Sequence, residues 1–373
     1  MSKTPNGYEI IELFESFSPK KYAVEGDKIG LQIGTLNKPI NSIMIALDVL
    51  ENVVDEAIDK KADLIIAHHP PIFRALKHIQ TDQTSGRIIE KCIKHDIAVY
   101  AAHTNLDVAE GGVNDLLASA LGLTDTKVLA PTLKGKLKKL AVMVPAGHEE
   151  SVIEAASNAG AGHIGNYSHC SFQVKGEGRF LPLENTNPYI GQKGNLEKVE
   201  EVKVETIFPE ELQRPVIQAV LKAHPYEEAA YDIFPLDNEG IELGLGRIGR
   251  LEEEMTLGQF AEHVKKALDV KRVRMVGEKN SKVKKVAVLG GDGNKYITQA
   301  KFSGADVFVT GDLYYHVAHD AMMMGLNVID PGHNVEKVMK KGVTDQLLSM
   351  CEEKKYEVSI FPSELNTDPF EFI

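Results

Sequence analysis

Two adjacent histidines, His68 and His69, close the apolar run Leu64-Ile65-Ile66-Ala67 and are followed at once by Pro70 and Pro71. Imidazole is a common metal ligand and titrates near neutrality, so such a pair points to metal binding or proton transfer. A His-His pair alone also fits a core or loop position with satisfied ring nitrogens. Three further groups shift the balance: His103-Thr104-Asn105-Leu106-Asp107, Gly311-Asp312 followed by His316, and Gly332-His333 followed by Glu336. His333 and Glu336 stand three apart at the start of an expected helix, where both can share one face. His68, His69, Asp107, His333 and Glu336 form a set of imidazoles and carboxylates without thiolate, suited to zinc, manganese or iron. Five ligands exceed the three typical of a catalytic zinc and suit two ions about 4 Å apart, joined by a bridging group. Such a pair acidifies water and polarises the group under attack, so the chemistry expected is hydrolysis. Asp48, His103, Asp312 and His316 fall at or beside expected strand ends. Each is a candidate acid or base, or a group that holds a ligand imidazole in one tautomer.

The elements that must position these groups are legible in the hydrophobic pattern. Residues 8–17 carry apolar side chains at helical spacing, and 26–34 read as a glycine-bracketed loop leading to an edge strand. Residues 43–47 form a strand closed by Asp48, followed by a helix over 50–61 and the buried parallel strand that delivers His68 and His69 to its carboxyl end. In open α/β sheets that edge is where ligands bind. A helix near 85–95 then leads to a third strand over 97–107. From 286 onward the pattern returns: a strand ending in Gly290-Gly291-Asp292-Gly293, a helix, a strand opened by Ala305-Asp306 as the His68 strand is opened by Ala62-Asp63, a helix, and a strand ending near Asp330. This is a weak internal repeat, which permits two lobes with ligands meeting across a cleft. Between the halves, the order strand, helix, two extended stretches, helix, strand is that of a ferredoxin-like unit. The expected organisation is therefore an α/β chain with a two-lobed core of two similar α/β halves (1–130 and 241–373), interrupted by an inserted α+β domain (131–240).

Several motifs read better as structure than as chemistry. His224-Pro225 followed by Glu227-Glu228 is most simply a helix-to-strand turn. Gly290-Gly291-Asp292-Gly293 lacks the Lys-Ser/Thr ending of a phosphate loop and reads as a sharp strand-to-helix turn. Met322-Met323-Met324 reads as core packing.

Composition bounds the rest. A chain of 373 residues with 43% hydrophobic side chains supports two or three domains and is too apolar for disorder. A net charge of -12 argues against nucleic acid or an anionic membrane as partner. The three cysteines are widely spaced and odd in number, which indicates neither a disulfide framework nor a cysteine zinc site and fits a reducing cytoplasm. No apolar stretch reaches the roughly 20 residues that cross a bilayer.

Taken together, Ala67-His68-His69-Pro70-Pro71, His103-Thr104-Asn105-Leu106-Asp107, Gly311-Asp312 with His316, and Gly332-His333 with Glu336 resemble the dinuclear-metal family of GTP cyclohydrolase I type 2 homologues, over essentially the whole chain. The resemblance implies that His68, His69, Asp107, His333 and Glu336 bind two divalent ions, zinc first, with manganese or iron as alternatives. It implies that the insert is the PII-like module of the longer bacterial members, and that the chain assembles as a ring-shaped homohexamer with its metals facing an internal cavity. By the family's name it also implies a metal-dependent hydrolase with a GTP-like nucleotide substrate. In the family the acid after the last histidine often falls four residues on, where this chain has Lys337, with Glu336 just before it. The alternative is a metal-dependent regulator or scaffold, without enzymatic activity, whose insert senses a small molecule.

Overall fold

In the computed structural model, which describes residues 3–371, the chain divides into two compact units: Lys134–Glu242, and everything before and after it. The insert thus begins and ends slightly later than the expected 131–240. In chain order the elements are α1 (Gly7–Phe17), β1 (Gly30–Ile33), β2 (Ser42–Ala46), α2 (Glu51–Asp59), β3 (Leu64–Ala67), α3 (Thr84–Lys94), β4 (Ala98–Ala101), α4 (Thr104–Val108) and α5 (Val113–Ala120). The long strand β5 (Thr124–Pro145) enters the insert, where α6 (Glu149–Asn158), β6 (Ser171–Phe180), β7 (Glu197–Pro209) and α7 (Gln213–Ala223) follow, and β8 (Tyr231–Thr256) leaves it. Then come α8 (Leu257–Ala267), β9 (Arg274–Val276), β10 (Lys282–Asp292), α9 (Ile297–Phe302), β11 (Val307–Gly311), α10 (Tyr315–Met323), β12 (Asn327–Asp330), a 3-10 turn (His333–Lys337), α11 (Val338–Glu353) and β13 (Ser359–Pro362).

The larger unit carries two sheets. The first has the order β1-β4-β3-β2-β13, with β2, β3, β4 and β13 parallel and β1 antiparallel at its edge. In the second, the parallel strands β10, β11 and β12 are flanked by antiparallel β8 and β9. Side-chain alternation divides β2 between two cores. Ile43 and Ile45 join a cluster with α1, α5, α8, α11 and one face of β10 and β11, whereas Met44 and Ala46 face α2 and α3. One apolar core therefore ties both sheets together, and its packing sets the distance between their carboxyl edges.

Three sequence expectations need correction. The last strand, β13, lies in the first sheet beside β2, so 241–373 is not wholly the second half. Pairing there satisfies the backbone groups along the outer side of β2, which would otherwise be an open edge. The strand expected over 97–107 stops at Ala101, and Asp107 sits on the short helix α4. Met322 and Met323 are exposed rather than packed in the core, because Ala321 occupies the buried side of α10.

Within the insert, the order of elements is βαββαβ and its strands lie in the order β6-β7-β5-β8. It has its own core of Leu140, Val142, Val144, Val152, Val202, Val204, Phe208, Val216 and Val220. His224 uses both ring nitrogens locally, donating from Nε2 to the Met143 carbonyl at 2.9 Å and accepting the Tyr226 N–H at Nδ1 at 3.0 Å. It is a turn histidine, with no nitrogen left for a ligand. Among the described residues, no helix is long and apolar enough to cross a membrane.

Candidate metal centre

Each strand that ends at the carboxyl edge of the first sheet delivers a polar group as soon as its backbone pairing stops. Asp48 follows β2, His68 and His69 follow β3, and His103 follows β4. Pro70 and Pro71 prevent β3 from running on, so its two imidazoles stay at the edge. From the second sheet, Gly290 and Gly291 lie at the end of β10, Asp312 follows β11, and His333 and Glu336 occupy the turn between β12 and α11.

These groups converge. All four imidazoles have Nδ1 engaged by a backward-facing acceptor: His68 donates to the Ala102 carbonyl at 2.9 Å, His69 to Asp48 at 2.7 Å, His103 to Asp27 at 2.9 Å and His333 to Asp312 at 2.6 Å. Donation from Nδ1 directs each Nε2 into the cluster, where its lone pair becomes available to a cation once that nitrogen gives up its proton. The Nε2 atoms of His69, His333 and His68 lie 3.0, 3.2 and 3.7 Å from Oε2 of Glu336. Among the described residues, three groups have ligand atoms within 4.8 Å of one another: His68, Asp107 and Glu336; His69, His333 and Glu336; and His68, His69 and His103. Glu336 belongs to the first two. The acid that departs from the family spacing is thus the shared member of both triads.

Two buried polar atoms at the centre make no hydrogen bond, Nε2 of His68 and Oδ1 of Asp107, and they face each other at 3.6 Å. Leaving such atoms unpaired costs about 1–3 kcal/mol each, a penalty that a cation held between them would remove. The donor set fits a divalent ion on chemical grounds as well, being nitrogen and oxygen without thiolate.

The electrostatics follow from burial among mixed charges. Burial raises the Asp107 carboxyl to about 6, against the pull of the His68 imidazole. Glu336 is equally buried, but the imidazoles of His333, His68 and His69 gathered around its carboxylate hold it well below the ordinary carboxylate range. His69 is lifted to about 10 because Asp48 and Glu336 outweigh its burial, and His333 to about 9, chiefly by Glu336. The carboxylates attract positive charge into this space, whether as protons on imidazole or as a metal ion.

Of the other candidates, Asp48 and Asp312 stand behind His69 and His333 as acceptors, and His103 lies at the rim with its ring centroid 5.3 Å from that of His68. His316 is exposed on α10 against the ring of Tyr315 and does not join the cluster. Helical periodicity turns that side of α10 to solvent. Four contributors escaped sequence reasoning. Asp27 is a buried acceptor that takes hydrogen bonds from His103, the Thr104 N–H at 3.0 Å and the Thr104 hydroxyl at 2.5 Å. Asn114 donates to the Asp107 carbonyl at 2.9 Å and accepts the Gly290 N–H at 3.0 Å, joining the two halves. Gly290 and Gly291 lie so close to Glu336 that a Cβ would stand 2.9 and 2.8 Å from its Oε1. Local signals were confined to the glycine bracket around Asp27 and to the Gly290-Gly291-Asp292-Gly293 turn, whose approach to Glu336 the sequence did not reveal.

Comparison with known proteins finds relatives along the whole chain. A family model described as Duf34/NIF3 (NGG1p interacting factor 3) matches residues 5–369. A protein of Bacillus subtilis strain 168 called GTP cyclohydrolase 1 type 2 homolog is 66% identical over 373 residues, covering 100% of both chains. A Staphylococcus aureus MRSA252 protein of the same name is 37% identical over 98% of this chain and 99% of its own. Among solved structures, a Bacillus cereus protein related to NIF3 superposes with a TM-score of 0.94 at 66% identity, covering 100% of each chain. Staphylococcus aureus protein SA1388 superposes with a TM-score of 0.77 at 33% identity, covering 99% of each.

Proposed function

The chain belongs to the Duf34/NIF3 family, and on that premise we propose that it is a dimetal-dependent hydrolase. His68, Asp107 and Glu336 would hold one divalent ion, and His69, His333 and Glu336 the other, with zinc the first expectation from the nitrogen and oxygen donors. The observation that carries this reading is the shared Glu336, together with the unpaired His68 Nε2 and Asp107 Oδ1. When bound, two such ions supply Lewis acidity and lower the pKa of water.

The remaining work falls to the chain's own groups. Asp48 and Asp312 fix the orientation of His69 and His333, so that neither ring must reorganise when its Nε2 is used. His103 is oriented by the buried Asp27 and partly open to solvent, so its Nε2 can take a proton from water or return one to a leaving group. The relatives' name supports a GTP-like nucleotide as the substrate, whose ring opening at C8 would release formate. Metal-loaded protein incubated with GTP should form formate, and His68→Ala should abolish it. Formate no higher than in that variant removes GTP as substrate. Absence of any divalent ion on elemental analysis removes the hydrolase reading itself.

A second reading, a metal-dependent regulator with a PII-like sensing insert, is favoured by one observation: Lys134–Glu242 is a compact unit with its own apolar core. Joining Leu133 to Leu243 by a short linker separates the readings. A hydrolase should keep its turnover, and a sensor should lose its response to the small molecule. The family resemblance also supports a homohexameric ring, and Phe302, Tyr315, Met322 and Met323 offer exposed apolar surface for such contacts. Sedimentation equilibrium reads the subunit number directly.

A further inference from the structure

The segment after β13 has no regular structure, yet it is tied down at residues 363, 364, 365 and 367. Ser363 donates its N–H to the Ile45 carbonyl at 2.8 Å and its hydroxyl to Glu56 Oε2 at 2.5 Å. The N–H of Glu364 reaches the other Glu56 oxygen at 2.9 Å. Lys340, half-buried on α11, donates to the carbonyls of Ser363 and Leu365, both at 2.9 Å. Leu365 packs on the apolar cluster beneath α2 and α3. Lysine seldom gives up hydration to serve backbone carbonyls, so these contacts specify the path of the segment rather than merely decorate it. That path brings the Thr367 hydroxyl to Oδ2 of Asp48, 319 positions away in sequence.

Asp48 accepts on both oxygens: Oδ1 takes the His69 Nδ1–H at 2.7 Å, and Oδ2 takes the Thr367 hydroxyl. A carboxylate held by one hydrogen bond can still turn about its own axis, and the imidazole bonded to it turns too. Held at both oxygens, its plane is fixed, and with it the direction of His69 Nε2. We propose that 363–368 is a strap, anchored by Glu56 and Lys340, whose Thr367 hydroxyl is a positioning group for Asp48 and, through Asp48, for the metal ligand His69. The strap lets the carboxyl end of the chain set the grip of the centre on one of its ions. This rests on the metal reading given above.

The test uses full-length protein stripped of metal and titrated with zinc against a chromophoric chelator. Thr367→Val keeps the shape of the side chain and removes the donor, and Thr367→Ser keeps the donor. Loss of an outer hydrogen-bond partner commonly weakens metal binding by about 10–100-fold. Thr367 acts one residue further out, so the valine variant should weaken one zinc equivalent by about tenfold, at the lower end of that range. The serine variant should bind as the wild type does, and Lys340→Met should weaken the same equivalent: it frees the strap and breaks no hydrogen bond to Asp48, and the positive charge it removes near Asp48 would by itself favour a cation. Unchanged zinc affinity in both Thr367→Val and Lys340→Met overturns the proposal, as does a serine variant as weak as the valine one, which would make Thr367 a packing residue. Wild-type protein that takes up no zinc overturns the metal reading instead, and the strap's role with it.

Discussion

Oε2 of Glu336 lies 3.0 Å from Nε2 of His69, although 267 positions separate the two residues. Because the same oxygen also faces His333 and His68, Glu336 should be needed for both ions and His333 for one. Elemental analysis of purified Glu336→Ala should therefore show loss of both equivalents, and of His333→Ala loss of one. Retention of two equivalents by Glu336→Ala would assign the bridge elsewhere.

Gly291 is required by contact and by conformation. Its φ is +62°, and a Cβ would lie 2.8 Å from Glu336 Oε1 and 3.2 Å from His333 Nε2. A left-handed conformation costs a residue with a Cβ about 1–2 kcal/mol, so Gly291→Ala should lower stability by about that amount. It should also weaken zinc binding, since relief requires displacing two of the candidate ligands, Glu336 and His333. Thermal unfolding and zinc titration of the same variant check the two effects independently.

Asn114 is wholly buried and spans the two halves, from the Asp107 carbonyl to the Gly290 N–H. Asn114→Ala orphans both groups, at about 1–3 kcal/mol for each. Urea unfolding should show a lower midpoint with unchanged slope. A variant as stable as the wild type would mean that water replaces the amide at no cost.

Acid should loosen the strap before it unfolds the core. Burial tends to raise the Glu56 carboxyl, but bonds from the Glu364 N–H, the Ser363 hydroxyl and Lys60 outweigh it and hold the group below its ordinary 4.5. A carboxylate depressed in the folded state stabilises that state above its unfolded pKa, and the contribution is lost as pH falls from about 4.5 through the lower folded value. Amide protection at 363–368, taken relative to the intrinsic exchange rate at each pH, should therefore fall over that interval in the wild type. In Glu56→Gln the protection should already be low at neutral pH and change little with acid.

His68 and His69 were identifiable because their neighbours report on their position: four apolar residues before them and two prolines after allow only the end of a buried strand. The insert's order of elements was legible for the same reason, since hydrophobic period is a local property. The helical placement of Asp107 was not, because the five residues of α4 are too few for periodicity to separate a strand's end from a single turn. The exposure of His316 and of Met322 and Met323 escaped too, since which face of a short helix is covered depends on what packs there.

The sequence by itself singled out the candidate ligands, most of the strands and helices that present them, and the absence of thiolates from the candidate set. Tertiary structure alone decided that Glu336 is common to both triads, that Asp27 stands behind His103, and that β13 returns to the first sheet so that Thr367 reaches Asp48. The reason is physical. Local patterning fixes where each side chain leaves its own strand or helix, whereas distances between groups hundreds of residues apart are set by the packing of one core that no short stretch of sequence contains.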